Sequence, residues 1–373
     1  MEYKFENIAF NSTAKKLPED SDRQHYIGLE HLDSNSLYVS RWGSDVTPIG
    51  EKLLMKKGDI LFGKRRAYQR KVGIAPFDGI FSAHGMVLRP KENIMDKDFF
   101  PFFIGSDQFM ERAIRISVGG LSPTINWKDL KEQVFDIPSL DEQKSLATKL
   151  WAAYKLREEY KHLLAATDEM VKSQFIEMFC SRDTTPVGNY IEDSYPGEWG
   201  TEDKDGDGVK VIRTTNFTNT GKLDLADVVT RSIIEKKIER KTIHKYDTIL
   251  ERSGGTTDNP VGRVVLFEED DVYLCNNFTQ VLRFKNINPR FAFYSLFYFY
   301  QTNKTAIRAM GNKTTGIQNL NMSKYLEIGI PNASEDEQHK FVLIAQQADK
   351  SKFELKKSIE AIDKVIKSLI NNI

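Results

Sequence analysis

Ile137-Pro138-Ser139-Leu140-Asp141-Glu142-Gln143 and Ile330-Pro331-Asn332-Ala333-Ser334-Glu335-Asp336-Glu337-Gln338 are two versions of one phrase, 195 residues apart when aligned on Gln143 and Gln338. Each opens with Ile-Pro, reaches Asp-Glu-Gln within a few residues and leads into a helix-forming run. Steps of four and three residues from Leu146 pass through Leu150, Ala153, Arg157, Tyr160, Leu164, Thr167, Val171, Gln174 and Met178. From Phe341 the same steps pass through Ala345, Ala348, Lys352, Leu355, Ile359, Ile362, Ile366, Leu369 and Ile373. A mostly apolar seam of period 3.5, held for about five heptads, is the signature of a coiled coil. No proline interrupts Glu142–Arg182 or Asn332–Ile373. Arg157 and Lys352 fall at the same step of the two seams, as expected where one polar position fixes register. At 1.5 Å per residue each helix would be about 57 Å long, more than a globular core needs.

The duplication extends upstream. Tyr26-Ile27 with Leu32 parallels Val211-Ile212 with Phe217, Asp59-Ile60-Leu61 parallels Asp247-Thr248-Ile249, and Val87-Leu88-Arg89 parallels Val281-Leu282-Arg283. The offsets drift, so insertions lie between elements whose order is kept. Strands are expected at residues 59–62, 86–89, 209–212, 264–267 and 280–284, which are β-branched or apolar and bounded by Gly, Asp or Asn. Phe99 to Arg115 and Phe291 to Met310 read as helices, ended by Gly119-Gly120 and Gly311. The organisation is α+β: a globular block over 1–139, a long helix over 140–182, a second block over 183–332 and a C-terminal long helix over 333–373.

The chain has 373 residues, with 53 basic and 53 acidic side chains, so any electrostatic partner must be met by local patches and not by net charge. The longest aromatic-apolar stretch, Phe291–Tyr300, is half the roughly 20 residues a membrane helix needs. Glu2 and Glu6 stand where a secretory signal would be basic and then apolar. Cys180 and Cys275 cannot make a disulfide framework or a four-cysteine zinc site. A reduced, cytoplasmic protein without a membrane segment is expected.

Catalytic patterns fail on inspection. Gly58 to Arg65 satisfies G-x-x-x-x-G-K but ends in Arg where magnesium needs Ser or Thr, and its middle reads as a strand. Asp203 to Gly208 begins like a calcium loop, yet position twelve is Thr214 instead of a bidentate carboxylate. His25, His31, His84, His162, His244 and His339 form no metal-ligand spacing, and a surface or hydrogen-bonded role suits each better. There is no G-x-S-x-G. The Asn-Pro-Pro-aromatic tetrad that holds an extruded adenine is also missing; Asp258-Asn259-Pro260-Val261 comes nearest. A binding protein is the better reading, with no metal and no catalytic residue in this chain.

Lys64-Arg65-Arg66-Ala67-Tyr68-Gln69-Arg70-Lys71 has five basic residues in eight and no acid. In a loop, Lys64, Arg65, Arg66, Arg70 and Lys71 would neutralise phosphates, and Tyr68 would pack on sugar or base. A solvated basic loop without a ligand explains the run equally well. The matching stretch of the second block, Glu251 to Asn259, offers small hydrogen-bonding groups instead, Arg252, Ser253 and Thr256 among them. Unlike loops on like scaffolds are what reading two different sequences requires. Ser117–Ser122, with Gly119, and Gly311–Gln318, with Lys313 and Thr314, are Gly/Ser/Thr-rich loops ahead of each Ile-Pro that could contact phosphates or simply turn. The aromatic run Phe291–Tyr300 cannot face one side of a helix and is expected in the core.

The order and repetition of these features resemble the DNA-specificity subunits of type I restriction–modification systems. The features are the two Ile-Pro…Glu-Gln helix entries and the texts Tyr26-Ile27-Gly28-Leu29-Glu30-His31-Leu32 and Val211-Ile212-Arg213-Thr214-Thr215-Asn216-Phe217-Thr218. The resemblance implies two target recognition domains, each reading half of a split site on double-stranded DNA, joined by two long antiparallel helices that act as a spacer. It implies docking of two adenine-methyltransferase subunits, which hold S-adenosylmethionine and the catalytic tetrad, and of motor-endonuclease subunits for cleavage. DNA would be met by Lys64, Arg65, Arg66, Tyr68, Arg70, Lys71 and Gly119 from the first block. From the second it would be met by Arg213, Arg252, Ser253, Thr256, Lys313 and Thr314. Leu146, Leu150, Tyr160, Leu164 and Val171 would face Phe341, Leu355, Ile359, Ile362, Ile366 and Leu369 in the spacer or its partner contacts. Helices of about 57 Å match about 17 base pairs of DNA. Two rivals stay open on the residues alone: a modification enzyme whose catalytic half is encoded elsewhere, and a two-headed coiled-coil adaptor without a DNA role.

Overall fold

The computed structural model describes residues 1–371 apart from Asn35, Thr257, Thr315 and Gly316; the side chains of Lys313, Thr314 and Ile317 also lie outside the description. The two long helices are Leu140–Phe179 and Glu335–Asn371, 40 and 37 residues, or about 60 and 55 Å. The chain divides into two compact units, one formed by Met1–Leu163 with the chain from Glu354, the other by Leu164–Phe353. Each long helix therefore gives one half to each unit.

Both helix starts are built alike, and the repeated phrase explains how. The amide of Ser139 donates to Glu142 Oε2 (2.9 Å) and that of Ser334 to Glu337 Oε2 (2.9 Å), while Ser139 Oγ and Ser334 Oγ accept from the Glu142 and Glu337 amides. These reciprocal bonds satisfy amides that a helix start leaves open. One residue on, the buried amide of Gln143 donates to Pro138 O (2.9 Å) and accepts from the Asp96 amide (2.8 Å). Gln338 donates to Ala333 O (2.9 Å) and accepts from the Asn288 amide (2.9 Å). Asp96 and Asn288 in turn accept from the first amides of a helix in their own unit, Phe99 N in one and Arg290 N in the other.

In the first unit a four-stranded antiparallel sheet runs Ala9–Ser12, Met86–Pro90, Ile60–Phe62, Val72–Ile74. Ile60, Phe62, Met86 and Leu88 pack on Phe99, Phe102, Phe103 and Phe109 and on Leu150, Tyr154 and Ile366 of the long helices. Leu61 and Val87, on the opposite face, meet Ile27, Leu53, Met55 and Phe81 of a second sheet. Alternation thus buries both faces of the first sheet. The second unit repeats the plan: Ile191–Pro196, Thr279–Phe284, Thr248–Glu251, Val264–Leu266. Leu250, Val264, Leu266 and Leu282 face the aromatic helix and Val171, Phe175, Phe341 and Ala345, while Ile249, Val265 and Val281 face the second sheet.

The second sheets show where the duplication departs from symmetry. Lys15–Lys16, Lys52–Met55, Gly79–Phe81 and Tyr26–Ile27 lie in that order in the first unit. Thr201–Glu202, Val229–Ser232, Val209–Ile212 and Tyr273–Cys275 do so in the second. The parallel pairing of Ile27 with Phe81 matches that of Ile212 with Cys275, but the two strands have exchanged the inner place.

The strands expected at 59–62, 86–89, 209–212, 264–267 and 280–284 are present within a residue or two. Each expected globular helix is broken in two. Phe100–Gly105 and Asp107–Arg115 part at Ser106, whose hydroxyl caps the second helix on Phe109 N (3.1 Å); Pro289–Thr302 and Lys304–Ala309 part at Asn303. The stretch read as a loop at Gly311–Gln318 belongs to a hairpin of Gly311–Thr314 with Ile317–Leu320. The aromatic run is core, with Phe291, Phe293, Tyr294 and Tyr298 buried. Among the described residues no helix is long and apolar enough to cross a membrane.

Within the second unit the long helices run antiparallel: Arg182 pairs with Glu337 (2.5 Å) and Lys352 Nζ with Asp168 Oδ1 (2.7 Å). Within the first, Arg157 Nη1 meets Asp363 Oδ1 (3.0 Å). At the 195-residue offset Arg157–Asp363 and Lys352–Asp168 are the same pair, so the polar step of each seam is answered by an aspartate across the helices. Of the expected seam residues, Leu150, Val171, Phe341 and Ile366 are buried, and Leu146, Tyr160, Leu164, Leu355, Ile359, Ile362 and Leu369 are half-buried. On the first long helix burial peaks at Ala147, Leu150, Tyr154, Arg157, Val171 and Phe175. The alternate positions therefore lie one residue beyond 146, 153 and 174, because this face also closes over each unit's globular core.

Candidate nucleic-acid interface

The texts around Tyr26 and Val211 position a turn at a strand end. His31 Nδ1 accepts from the Gly28 amide (2.9 Å) and Asn216 Oδ1 from the Arg213 amide (2.9 Å), while Leu32 and Phe217 are buried beneath. A second duplicated device fixes the strands from which the basic loop and its counterpart spring. Asp59 takes Arg89 through Nε (2.5 Å) and Nη2 (2.7 Å), and Asp247 takes Arg283 through Nε (3.0 Å) and Nη2 (2.7 Å). Such planar two-point pairs fix orientation as well as charge.

Beyond Phe62 the basic stretch leaves the sheet and is met by the glycine-rich loop. Ile125 N donates to Lys64 O (3.0 Å), Arg66 N to Pro123 O (2.7 Å), and Arg65 bridges Thr124, itself bridged to Val118. Arg65 N donates to His84 O (3.3 Å). In the second unit Leu320 N donates to Arg252 O (2.8 Å), Ser253 pairs with Asn319, Gly254 pairs with Gln318, and Ser253 N donates to Phe278 O (3.0 Å). These hydrogen bonds have counterparts in the two units, Phe278 O accepting in addition from Arg252 N (2.8 Å). They set Lys64 opposite Arg252, Arg65 opposite Ser253, His84 opposite Phe278 and Ile125 opposite Leu320 on two equivalent loop platforms.

The side chains on these platforms differ. Arg65, Arg66 and Tyr68 are exposed, Lys64 is half-buried, and Arg66 Nε reaches Ser122 Oγ (3.3 Å). Gly119, exposed at φ +111, gives its loop a conformation that other residues resist. Arg70 is turned away, paired with Asp107, which Asn371 also binds (2.7 Å); Lys71 Nζ donates to Leu29 O (2.6 Å). These two shape the loop, whose short turn is bounded by Arg66 and Arg70, both in the left-handed region. Burial, then Lys15, hold Lys64 below the usual lysine range. Burial, then Arg65, Lys64 and Lys52, hold His84 below the usual histidine range. Burial, reinforced by neighbouring cations, produces that pattern. Sequence reasoning missed His84, and also Leu121, which stands 97% exposed at the tip of the glycine loop.

On the second platform Arg213 Nη2 is held by Asp227 Oδ2 (3.0 Å), Arg252 Nη1 by Gln280 Oε1 (3.3 Å) and the buried Ser253 by Asn319 Oδ1 (2.6 Å). Thr256 is exposed and ties its loop to Asn259. Glu251, buried beneath, pairs with Arg263 (2.6 Å). Lys313 and Thr314 lie on the hairpin, with their side chains outside the described residues. Among the described residues no cluster of three His, Cys, Asp or Glu could hold a metal ion, and the nearest calcium-like segment is a turn closed by Asp203 Oδ1 on the Gly206 amide (2.9 Å).

The two units thus carry like platforms of unlike chemistry on a duplicated β scaffold. The model of the type I restriction modification DNA specificity domain matches residues 11–163 and 194–363, and the chain belongs to that family. It is 24% identical over 184 residues to the type I restriction enzyme EcoDI specificity subunit of Escherichia coli, an alignment spanning 47% of this chain and 40% of that relative. Two solved structures share the fold. A chain from work on complex assembly and conformational transition of the type I R-M system has TM-score 0.59 at 13% identity, covering 99% of this chain and 96% of that one. The S subunit from M. genitalium has TM-score 0.56 at 16% identity, covering 99% and 95%.

Proposed function

We propose that this chain is the non-catalytic DNA-recognition subunit of a cytoplasmic type I restriction–modification assembly. Each unit reads one half of a divided duplex target through its loop platform. The observation that carries this reading is the pair of platforms with matching backbone hydrogen bonds and different side chains. Lys64, Arg65, Arg66, Tyr68 and Gly119 face DNA from one unit, and Arg213, Arg252, Ser253, Thr256, Lys313 and Thr314 from the other. Arg70 and Lys71 hold the first loop in shape. The helix pair sets the gap between half-sites and docks two adenine-methyltransferase subunits, where S-adenosylmethionine is bound; motor-endonuclease subunits join for cleavage. Leu156, Leu163 and Met170, exposed at seven-residue spacing on the first long helix, are the stripe a partner helix would cover.

The test is selection of methylated duplexes from a random library by the chain assembled with its methyltransferase subunits. Two short conserved blocks separated by a fixed, unspecified gap are expected. One uninterrupted block, or no sequence preference, overturns the reading.

A further inference from the structure

The equivalent backbone positions of the two platforms carry different charge. Where the first unit has Lys64, Arg65 and His84, the second has Arg252, Ser253 and Phe278. Among the described residues no hydrogen bond or ion pair engages Lys64 Nζ or the Arg65 guanidinium, whereas Arg252 rests on Gln280 and its neighbours Arg213 and Arg263 are spent on Asp227 and Glu251. Strand register adds more positive charge beside the first platform. Lys15 lies opposite Leu53, next to Lys52, and Leu53 lies opposite Phe81, three residues before His84. Glu51 meets Lys15 across an exposed 3.4 Å pair, and the buried Lys52 Nζ is held by the Ile49 and Gly50 carbonyls. Clustered cations on a fixed backbone repel one another until an anion screens them, and the anion that DNA offers whatever its sequence is phosphate.

We infer that the two units bind DNA by unequal means: the Lys64–Arg65–His84 face of the first is the phosphate anchor for the whole chain, and the second platform contributes mainly sequence reading. This rests on the DNA-recognition reading and goes further by assigning the salt-dependent part of the affinity to one unit. Because phosphate contact is indifferent to sequence, the cognate site need not be known.

The experiment is the salt dependence of association between the full chain and a mixed-sequence duplex of about 30 base pairs. The slope of log K against log KCl is compared for wild type, Lys64→Gln/Arg65→Gln and Arg252→Gln, each first shown to melt at the wild-type temperature. The double variant is expected to lose about 1.8 from the magnitude of the slope, about 0.9 per released cation, and Arg252→Gln to lose clearly less than about 0.9 for its one cation. A loss per replaced cation in the double variant no greater than that of Arg252→Gln overturns the inference while leaving DNA recognition standing. Wild-type protein with no affinity for duplex at low salt removes the DNA reading itself.

Discussion

Gln143 and Gln338 are uncharged amides with almost no exposed surface, and each spans a helix start and the loop that caps a neighbouring helix. Truncation leaves an amide and a carbonyl buried without partners, so Gln143→Ala and Gln338→Ala should each cost about 2 kcal/mol, measured by denaturant unfolding. A neutral outcome would mean water replaces the side chain. His84 yields a pH prediction. Its depressed value in the free protein leaves the ring neutral near pH 7, and a phosphate beside it favours the charged ring, so DNA binding takes up a proton. Affinity for duplex should therefore strengthen as pH falls through the histidine range and level off once the free protein is also protonated, and His84→Gln should flatten the profile in a titration series. The sequence displayed Lys64, Arg65 and Arg66 as a charged run, but not which were committed. Arg70 is diverted by Asp107, 37 residues away along the chain, and His84 joins through a strand register that local pattern does not encode.

Helical periodicity disclosed both long helices and the matching polar step, because a seam of period 3.5 is a local signal. The phase of the first helix was less legible. Its buried stripe is chosen jointly by the opposite helix and by the globular core, as Tyr154 shows by accepting the Leu37 amide while its ring supports Arg157 at 4.3 Å. The breaks at Ser106 and Asn303 were hidden for a similar reason: one polar residue within an aromatic stretch outweighs helix propensity only when its side chain finds a local bond, as Ser106 does. Across the helix pair, an Arg157→Ala, Asp363→Ala double-mutant cycle should give a coupling of about 1 kcal/mol that shrinks with salt, since Asp363 is half exposed. Lys352 with Asp168 should behave as its duplicate. Zero coupling in both cycles would reduce these pairs to incidental contacts.

The repeated texts made the duplication of the molecule readable before any strand was placed, because each preserves a structural device: a helix cap, a strand-end turn, or a buried Asp–Arg clamp. The exchange of inner strands in the second sheets was not readable, since the strands keep their order along the chain and differ only in their neighbours. If the helix pair spaces the half-sites, deleting Lys161–Thr167 with Phe353–Ile359 removes matched heptads of about 10 Å. The preferred gap should then shorten by about three base pairs while both half-site sequences persist, read from methylation of a spacer library. An unchanged gap would assign the spacing elsewhere. The division into units also bears on the order of folding during synthesis. Everything the Leu164–Phe353 unit requires is contiguous, whereas the unit that begins at Met1 draws Ile366 and Leu369 from beyond that second unit. On the ribosome the half made later can therefore finish first, while the earlier half keeps open the face that Ile366 and Leu369 cover until those residues have emerged, a window in which a chaperone or a waiting subunit would find its hold.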